Sequence, residues 1–272
     1  MCSVILTTPV DYEIRTLTTV EDFTEHERLQ REIWGSDQID VPVNLLTASA
    51  RHGGVLLGAF IKRRMVGILY GFPALTNGRF HHHSHMLGVL PPYRRLGIGL
   101  ALKLRQREIV RAQGLDEITW TVDPLEVGNN VFNFGRLGVV CDTYIVDAYG
   151  EMVDALNRGL PSDRLEVRWR VHEDLPRAPR PIPLDATLLT TANMRRDGLP
   201  EPRRVAELAG VACLVTAPRE YRTVQRTDSD LALRWRLHLR RDLTEAFEAG
   251  YLLTGCVEYD GQGCYLLSKP KV

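Results

Sequence analysis

Leu87-Gly88-Val89-Leu90-Pro91-Pro92-Tyr93-Arg94-Arg95-Leu96-Gly97-Ile98-Gly99 is the stretch on which the reading of this chain turns. An apolar run ends at two prolines, and two arginines and two glycines then precede a long segment of helical periodicity. Strand, glycine loop and helix start are expected in that order. At such a junction the first N–H groups of the helix have no partner within it, and the positive end of its dipole points the same way, so phosphate oxygens are favoured there. Gly97 and Gly99 let the backbone come close without a Cβ in the way, and Arg94 and Arg95 bring charge-assisted donors to the same spot.

Two familiar phosphate loops do not fit. A P-loop ends in Gly-Lys-Ser/Thr, whereas this one continues Ile98-Gly99-Leu100. A dinucleotide fold needs G-x-G-x-x-G/A directly after its strand, but Leu102 holds the sixth position and six residues separate Leu90 from Gly97.

Upstream of the loop, Tyr12 to Leu17 reads as a strand, and Thr18-Thr19-Val20-Glu21 opens a helix that runs to about Trp34 and ends at Gly35. A second helix is expected from Val43 to His52. Three strands follow as an antiparallel meander: Val55 to Ile61, Met65 to Phe72 and His82 to Leu90. Downstream, a helix is expected to about Gln113, with Ile98, Ala101, Leu102, Ile109 and Ala112 as its apolar stripe and Lys103, Arg105, Arg107 and Arg111 mostly off it. Gly114 would close it. Then come a strand Glu117 to Val122, a helix Asn130 to Leu137 closed by Gly138, and a strand Val139 to Val146, giving βααβββαβαβ.

Beyond Gly150 the punctuation changes. Leu175 to Pro202 is rich in Pro and Arg and reads as a connector. After it are expected a helix near Arg204 to Leu208, a strand Ala212 to Thr216, a helix Ser229 to Ala249, and a hairpin of Tyr251 to Tyr259 with Cys264 to Leu267 across Asp260-Gly261-Gln262-Gly263. The expected organisation is a core over 1–174, the connector over 175–202 and a C-terminal α/β part over 203–272.

Composition narrows the class. With 272 residues, 44% hydrophobic and 25% charged, the chain is of ordinary globular type. Lys+Arg and Asp+Glu are both 34, so no basic surplus points to nucleic acid or to an anionic membrane as a partner. No apolar run approaches the roughly 20 residues of a membrane span. Met1-Cys2-Ser3-Val4-Ile5-Leu6 lacks a basic region and a long apolar stretch, so a cytoplasmic location is expected. The five cysteines (Cys2, Cys141, Cys213, Cys256, Cys264) contain no CxxC pair, which argues against a disulfide framework and a cysteine zinc site.

The stretch from Leu87 to Gly99 closely resembles the central signature of the GNAT superfamily of acyl-CoA-dependent N-acyltransferases, R/Q-x-x-G-x-G/A, and the βααβββ before it and αβαβ after it fit that superfamily. The resemblance spans roughly Tyr12 to Val171. It implies an α/β (α+β) fold with a mixed, mostly antiparallel central sheet flanked by helices, here followed by a C-terminal βαββ extension. It also implies that Arg94, Arg95, Leu96, Gly97, Ile98 and Gly99 grip the CoA pyrophosphate while Leu87 and Val89 line the pantetheine. Trp120 to Leu125, Asn129 to Gly138 and Leu156 to Leu165 further resemble a subgroup that includes succinyl-CoA-dependent amino-acid N-acyltransferases. The cosubstrate expected is acetyl-CoA or succinyl-CoA, with no metal. The partner expected is a small-molecule amine, with a homodimer left open.

Acyl transfer to an amine needs a neutral nucleophile, a donor for the oxyanion and a proton for the departing thiolate. His81-His82-His83-Ser84-His85 enters the strand before the loop, and simple alternation puts His81, His83 and His85 on the side of Leu87 and Val89. His83 falls where some superfamily members carry a catalytic glutamate, and His85 is the equal candidate; imidazole suits proton transfer near neutral pH. The two share a face, as metal ligands would, but no third ligand accompanies them. The superfamily often carries a tyrosine where this chain has Phe134, which has no proton to give, so Tyr144 is a substitute candidate for the acid; otherwise the thiolate takes its proton from water or leaves as such. Asn129, Asn130 and Asn133 are candidates for capping a helix or touching CoA or substrate. Arg136 and Arg164 are candidates for a substrate carboxylate, and Asp123 and Asp163 for a cationic amine; each has a surface ion-pair reading beside it. The basic segment Leu231 to Arg241 reads as a core stripe of Leu233, Leu237 and Leu239, with Phe247, carrying a solvated basic face. The alternative to an enzyme is a non-catalytic acyl-CoA-binding sensor or assembly module of the same fold.

Overall fold

The computed structural model describes residues 11–35, 41–150, 160–176, 178 and 180–270. Cys2 and the Leu156-Asn157-Arg158-Gly159 part of the subgroup resemblance lie outside them. The chain forms two compact units that divide between Thr119 and Trp120.

The first unit contains β1 (Glu13–Thr16), α1 (Val20–Trp34), α2 (Val43–Arg51), β2 (Val55–Ile61), β3 (Arg64–Thr76), β4 (Arg79–Val89), α3 (Ile98–Ala112) and the start of β5 (Glu117–Val122). Its strands lie in the order β1-β2-β3-β4-β5, antiparallel apart from the parallel β4–β5 pair. Helix α1 starts where Thr19 and Asp22 cap each other reciprocally, each side chain accepting from the other's N–H. One face of the sheet packs α1 and α2 over Leu56, Phe60, Ile68, Tyr70 and Met86. Gly88 sits on that face because a Cβ there would come within 2.7 Å of the Trp34 ring. Helix α3 covers the other face, where a Cβ on Gly67 would meet Ile98 at 3.2 Å.

Three readings of this unit change. Strands β3 and β4 are longer than expected because Asn77 (φ 52°) and Gly78 (φ 75°) form a tight hairpin turn between them. Asn-Gly is a strong hairpin signal, and it sits between the two runs in the sequence. The inward face of α3 is Ile98, Leu102, Lys103, Gln106 and Val110; Ile109 is half-buried and Ala112 exposed. Lys103 is therefore on the buried face, not off it.

The second unit contains α4 (Val127–Phe132), continued by a π-helical turn Asn133–Leu137, then β6 (Val140–Ile145), β7 (Arg164–Arg170), β8 (Thr187–Leu188), β9 (Thr190–Met194), β10 (Pro200–Arg204), β11 (Ala212–Ala217), α5 (Tyr221–Thr227), α6 (Ser229–Glu248), β12 (Leu252–Tyr259) and β13 (Gln262–Ser268). Six of its strands lie in the order β7-β6-β12-β13-β11-β8, and β9 and β10 form a separate hairpin. The C-terminal βαββ unit is present as β11, the α5–α6 pair, β12 and β13. The expected connector carries β8, β9 and the start of β10 instead of running without structure, and no helix forms near Arg204 to Leu208. Pro200 and Pro202 lie in β10 of the short two-stranded β9–β10 hairpin, where a missing N–H is tolerated. Strand β7 and helix α5 had no expected counterpart. Helix α6 buries Leu231, Trp235, Leu239 and Leu243 at i, i+4 spacing, while Leu237 is 45% exposed and Arg236 is 1% exposed. The expected solvated basic face is thus partly internal.

Candidate active site

At the start of α3 the chain turns through a 3-10 turn (Pro91–Tyr93), and two residues of positive φ then bring it round: Arg95 at 64° and Gly97 at 84°. Gly97 is the N-cap and supplies no side-chain cap, so the N–H groups of the first turn of α3 face outward from an exposed loop. The first amide to return into the helix is that of Ala101, which donates to Gly97 O at 3.0 Å. Ile98 points into the core, leaving its amide as its contribution. Arg94 Nε donates back to Val89 O at 3.0 Å, which ties the loop to the end of β4, and Arg95 is exposed.

Strand β4 holds a β-bulge: Tyr70 pairs with Met86 and Gly71 with Ser84, so His85 is an extra residue. The bulge reverses the alternation. Ser84 points to α3, where Lys103 Nζ donates to its Oγ at 2.8 Å, and Leu87 also lies on that side, against Gly99 of α3. His83 and His85 instead join the rings of Tyr70 and Phe72 on the α1–α2 side: Phe72 lies 5.5 Å from His83 and 6.1 Å from His85, and Tyr70 lies 5.8 Å from His85, centroid to centroid. Their expected placement on the side of Leu87 and Val89 is therefore corrected. β4 pairs with β5 only at His82↔Ile118 and His83↔Thr119. Among the described residues of the first unit, the edge of β4 beyond His83 is open up to the loop.

His83 is half-buried and its Nδ1 lies 3.1 Å from Thr119 Oγ1. When Nδ1 carries the proton, Thr119 accepts it and Nε2 keeps its lone pair. Burial, with the neighbouring His85, His81 and Lys103, holds the His83 pKa down to about 4, so the ring is neutral at physiological pH. His85 is exposed. Beneath them lies a buried polar row that composition did not flag. Lys103 Nζ donates to Ser84 Oγ and, at 3.3 Å, to Gln106 Oε1; Gln106 Nε2 then donates to His82 Nε2 at 3.2 Å. The amine fixes the orientation of the Gln106 amide, and burial holds His82 at about 3. The one available signal was that Lys103 and Gln106 fall on the Ile98–Leu102 side of α3.

In the second unit the expected substrate residues are engaged with one another. Both oxygens of Asp123 accept from Arg236, at 2.7 and 2.9 Å, and Arg164 Nη1 lies 3.6 Å from the same carboxylate. Both oxygens of Asp163 accept from Arg240 at 2.8 Å, and Tyr144 Oη donates to Asp163 Oδ2 at 2.8 Å. Burial would raise both carboxyl pKa values; the arginines outweigh it and hold them below the usual range. Burial and the Asp163 charge push the Tyr144 hydroxyl well above its ordinary value, so its proton is held rather than offered. Arg164 donates to Asp163 O at 2.8 Å. Asn130 is buried, donating to Asp123 O and Tyr265 Oη, both at 2.8 Å. Because α4 begins at Val127, Asn129 and Asn130 lie inside it and do not cap it; Asn129 and Arg136 are exposed and Asn133 is buried. Phe134 packs edge-on to Tyr265, ring centroids 6.5 Å apart. Arg236 and Arg240, the partners of the two aspartates, were not anticipated, although their i, i+4 spacing on α6 is visible in the sequence. Among the described residues no group of His, Cys, Asp and Glu is placed to hold a metal ion, and no helix is long and apolar enough to cross a membrane.

Residues 13–131, less than half of the chain, match the model of the Acetyltransferase (GNAT) family. No curated protein matches. Solved structures that align with part of this chain include an acetyltransferase of the GNAT family from Streptococcus pneumoniae (16% identity, 61% of this chain and 100% of that one, TM-score 0.47). Others are the PaiA N-acetyltransferase of Thermoplasma acidophilum in complex with coenzyme A (19%, 59% and 99%, 0.41) and the ribosomal-protein-S18-alanine N-acetyltransferase of Escherichia coli (13%, 60% and 96%, 0.45). At these identities and scores they add no weight to the family match. Residues 13–131 carry the family's sequence pattern, and the mixed, mostly antiparallel sheet of the first unit, flanked by helices, is the architecture that the resemblance implies.

Proposed function

We propose that this protein is an N-acyltransferase that moves an acetyl or succinyl group from acyl-CoA to the amine of a small molecule such as an amino acid, by direct attack on the thioester. The observation that carries the reading is the uncapped first turn of α3 behind Gly97, at the end of a strand that, among the described residues of the first unit, has no β5 partner beyond His83. Amides and helix dipole there suit a pyrophosphate, and the open edge suits an extended pantetheine. His83 and His85, on the opposite side of β4 from Leu87, are the candidate bases for the incoming amine. The commitment of Tyr144 to Asp163 favours a second reading, a non-catalytic acyl-CoA-binding module.

Thermal unfolding with CoA, acetyl-CoA, succinyl-CoA and NADH tests the loop. A ligand at about 100 times its Kd adds roughly 2.7 kcal/mol of stability. CoA species should stabilise and NADH should not. No shift with any CoA species defeats the reading, and steady-state release of CoA in the presence of amines separates the enzyme from the binding module.

A further inference from the structure

On the acyl-transfer reading, the departing CoA sulfur needs a proton, and neither Phe134 nor Tyr144, whose hydroxyl donates to Asp163, is placed to give one. We propose that Ser84 is the proton donor to the CoA thiolate and that Lys103 resupplies it through the serine hydroxyl.

The geometry of β4 carries the assignment. Its pairing with the first unit's part of β5 ends at His83↔Thr119, and the strand then runs on from Ser84 to Val89, directly before the loop. At about 3.3 Å per residue those five steps span about 17 Å, a length that suits an extended pantetheine arm. A pyrophosphate at Gly97 to Gly99 then puts the thioester at the Ser84 end. The bulge at His85 places the two kinds of group on opposite sides of this point: His83 and His85 with the rings of Tyr70 and Phe72, and Ser84 on the side of Leu87. A base facing the incoming amine and an acid facing the leaving sulfur is the arrangement that the reaction requires.

Lys103 is 3% exposed and its Nζ donates to Ser84 Oγ at 2.8 Å, with Gln106 Oε1 accepting a second hydrogen bond at 3.3 Å. Holding an amine there costs folding energy, which these two hydrogen bonds offset. Burial lowers its pKa well below the ordinary lysine value, which makes its ammonium a readier acid than one at the surface. In the step, the amine lone pair forms the N–C bond and the C–S pair leaves on sulfur. Sulfur takes the Ser84 hydroxyl proton, and the serine oxygen takes one from the Lys103 ammonium. The proton released by the amine goes to His83 or His85 and on to solvent, from which Lys103 is recharged. The products are an amide and the CoA thiol.

Ser84→Ala and Lys103→Met in the full chain test this, with Ser84 the catalytic residue and Lys103 acting through it. Acetyl-CoA turnover with an amine acceptor should fall about 100-fold in kcat in each variant, while stabilisation by CoA and the KM for acetyl-CoA stay within twofold of wild type. With 4-nitrophenyl acetate as donor, whose phenolate leaves without a proton, the rates should match wild type. A merely structural role would depress both donors alike. Equal losses with both donors, or unchanged acetyl-CoA turnover in either variant, overturn the assignment. A wild-type protein that is stabilised by CoA yet releases none with any amine overturns the acyl-transfer reading instead.

Discussion

Acidification from pH 7 to pH 5 should cost the fold about 2 kcal/mol through one buried side chain, His26 on α1. Gln30 sets its protonation. The Gln30 amide is oriented by Val41, whose N–H donates to Oε1 at 3.1 Å while Nε2 donates to its carbonyl at 2.9 Å. The same Nε2 lies 3.2 Å from His26 Nδ1, which must therefore accept and cannot carry a proton without opposing an N–H. His26 Nε2 is buried without a partner, and burial holds the ring's pKa down to about 4. Between 4 and 6.5 the unfolded imidazole binds a proton that the folded one refuses, so stability is complete above 6.5 and falls as pH drops through that window. At pH 5 the gap from 6.5 is about 1.5 units, each worth about 1.4 kcal/mol. Urea unfolding of the wild type and of His26→Leu at both pH values isolates this contribution, because every other titrating group is common to both proteins. The wild type should lose about 2 kcal/mol more than the variant between pH 7 and 5; parallel losses would refute the argument.

Three further outcomes follow from the geometry. Gly97→Val puts a β-branched residue at φ 84°, so thermal shift should show CoA stabilisation lost; a retained shift would mean that the loop does not hold the pyrophosphate. Replacing both candidate bases, His83→Gln with His85→Gln, should lower kcat at least 100-fold while CoA still stabilises the protein; unchanged turnover would remove them from the mechanism. Arg236→Met leaves Asp123 buried without its bidentate partner, at a cost of about 3–5 kcal/mol by denaturant unfolding. A loss under 1 kcal/mol would show that Arg164 alone compensates the carboxylate.

Local signals in the sequence determined the glycine loop, the helix behind it and the βααβββαβαβ order. Gly97, Gly114 and Gly138 punctuate helices, and short apolar, β-rich runs mark β2 and β5, because these depend on neighbours within a few residues. Tertiary structure alone decided which faces the functional groups occupy. One extra residue in β4 moved His83 and His85 away from the side of Leu87, since strand alternation inverts at a bulge and no local pattern marks where a bulge falls. Lys103 counts in sequence among the basic residues mostly off the apolar stripe, because its chemistry usually keeps it in water; its hydrogen bond to Ser84, nineteen positions earlier, helps admit it to the interior. For Asp123 and Asp163 the sequence leaves open a cationic amine or an ion pair and names no partner: Arg236 and Arg240 lie 113 and 77 residues away, and only the folded chain brings opposite charges that distant in sequence into bidentate contact.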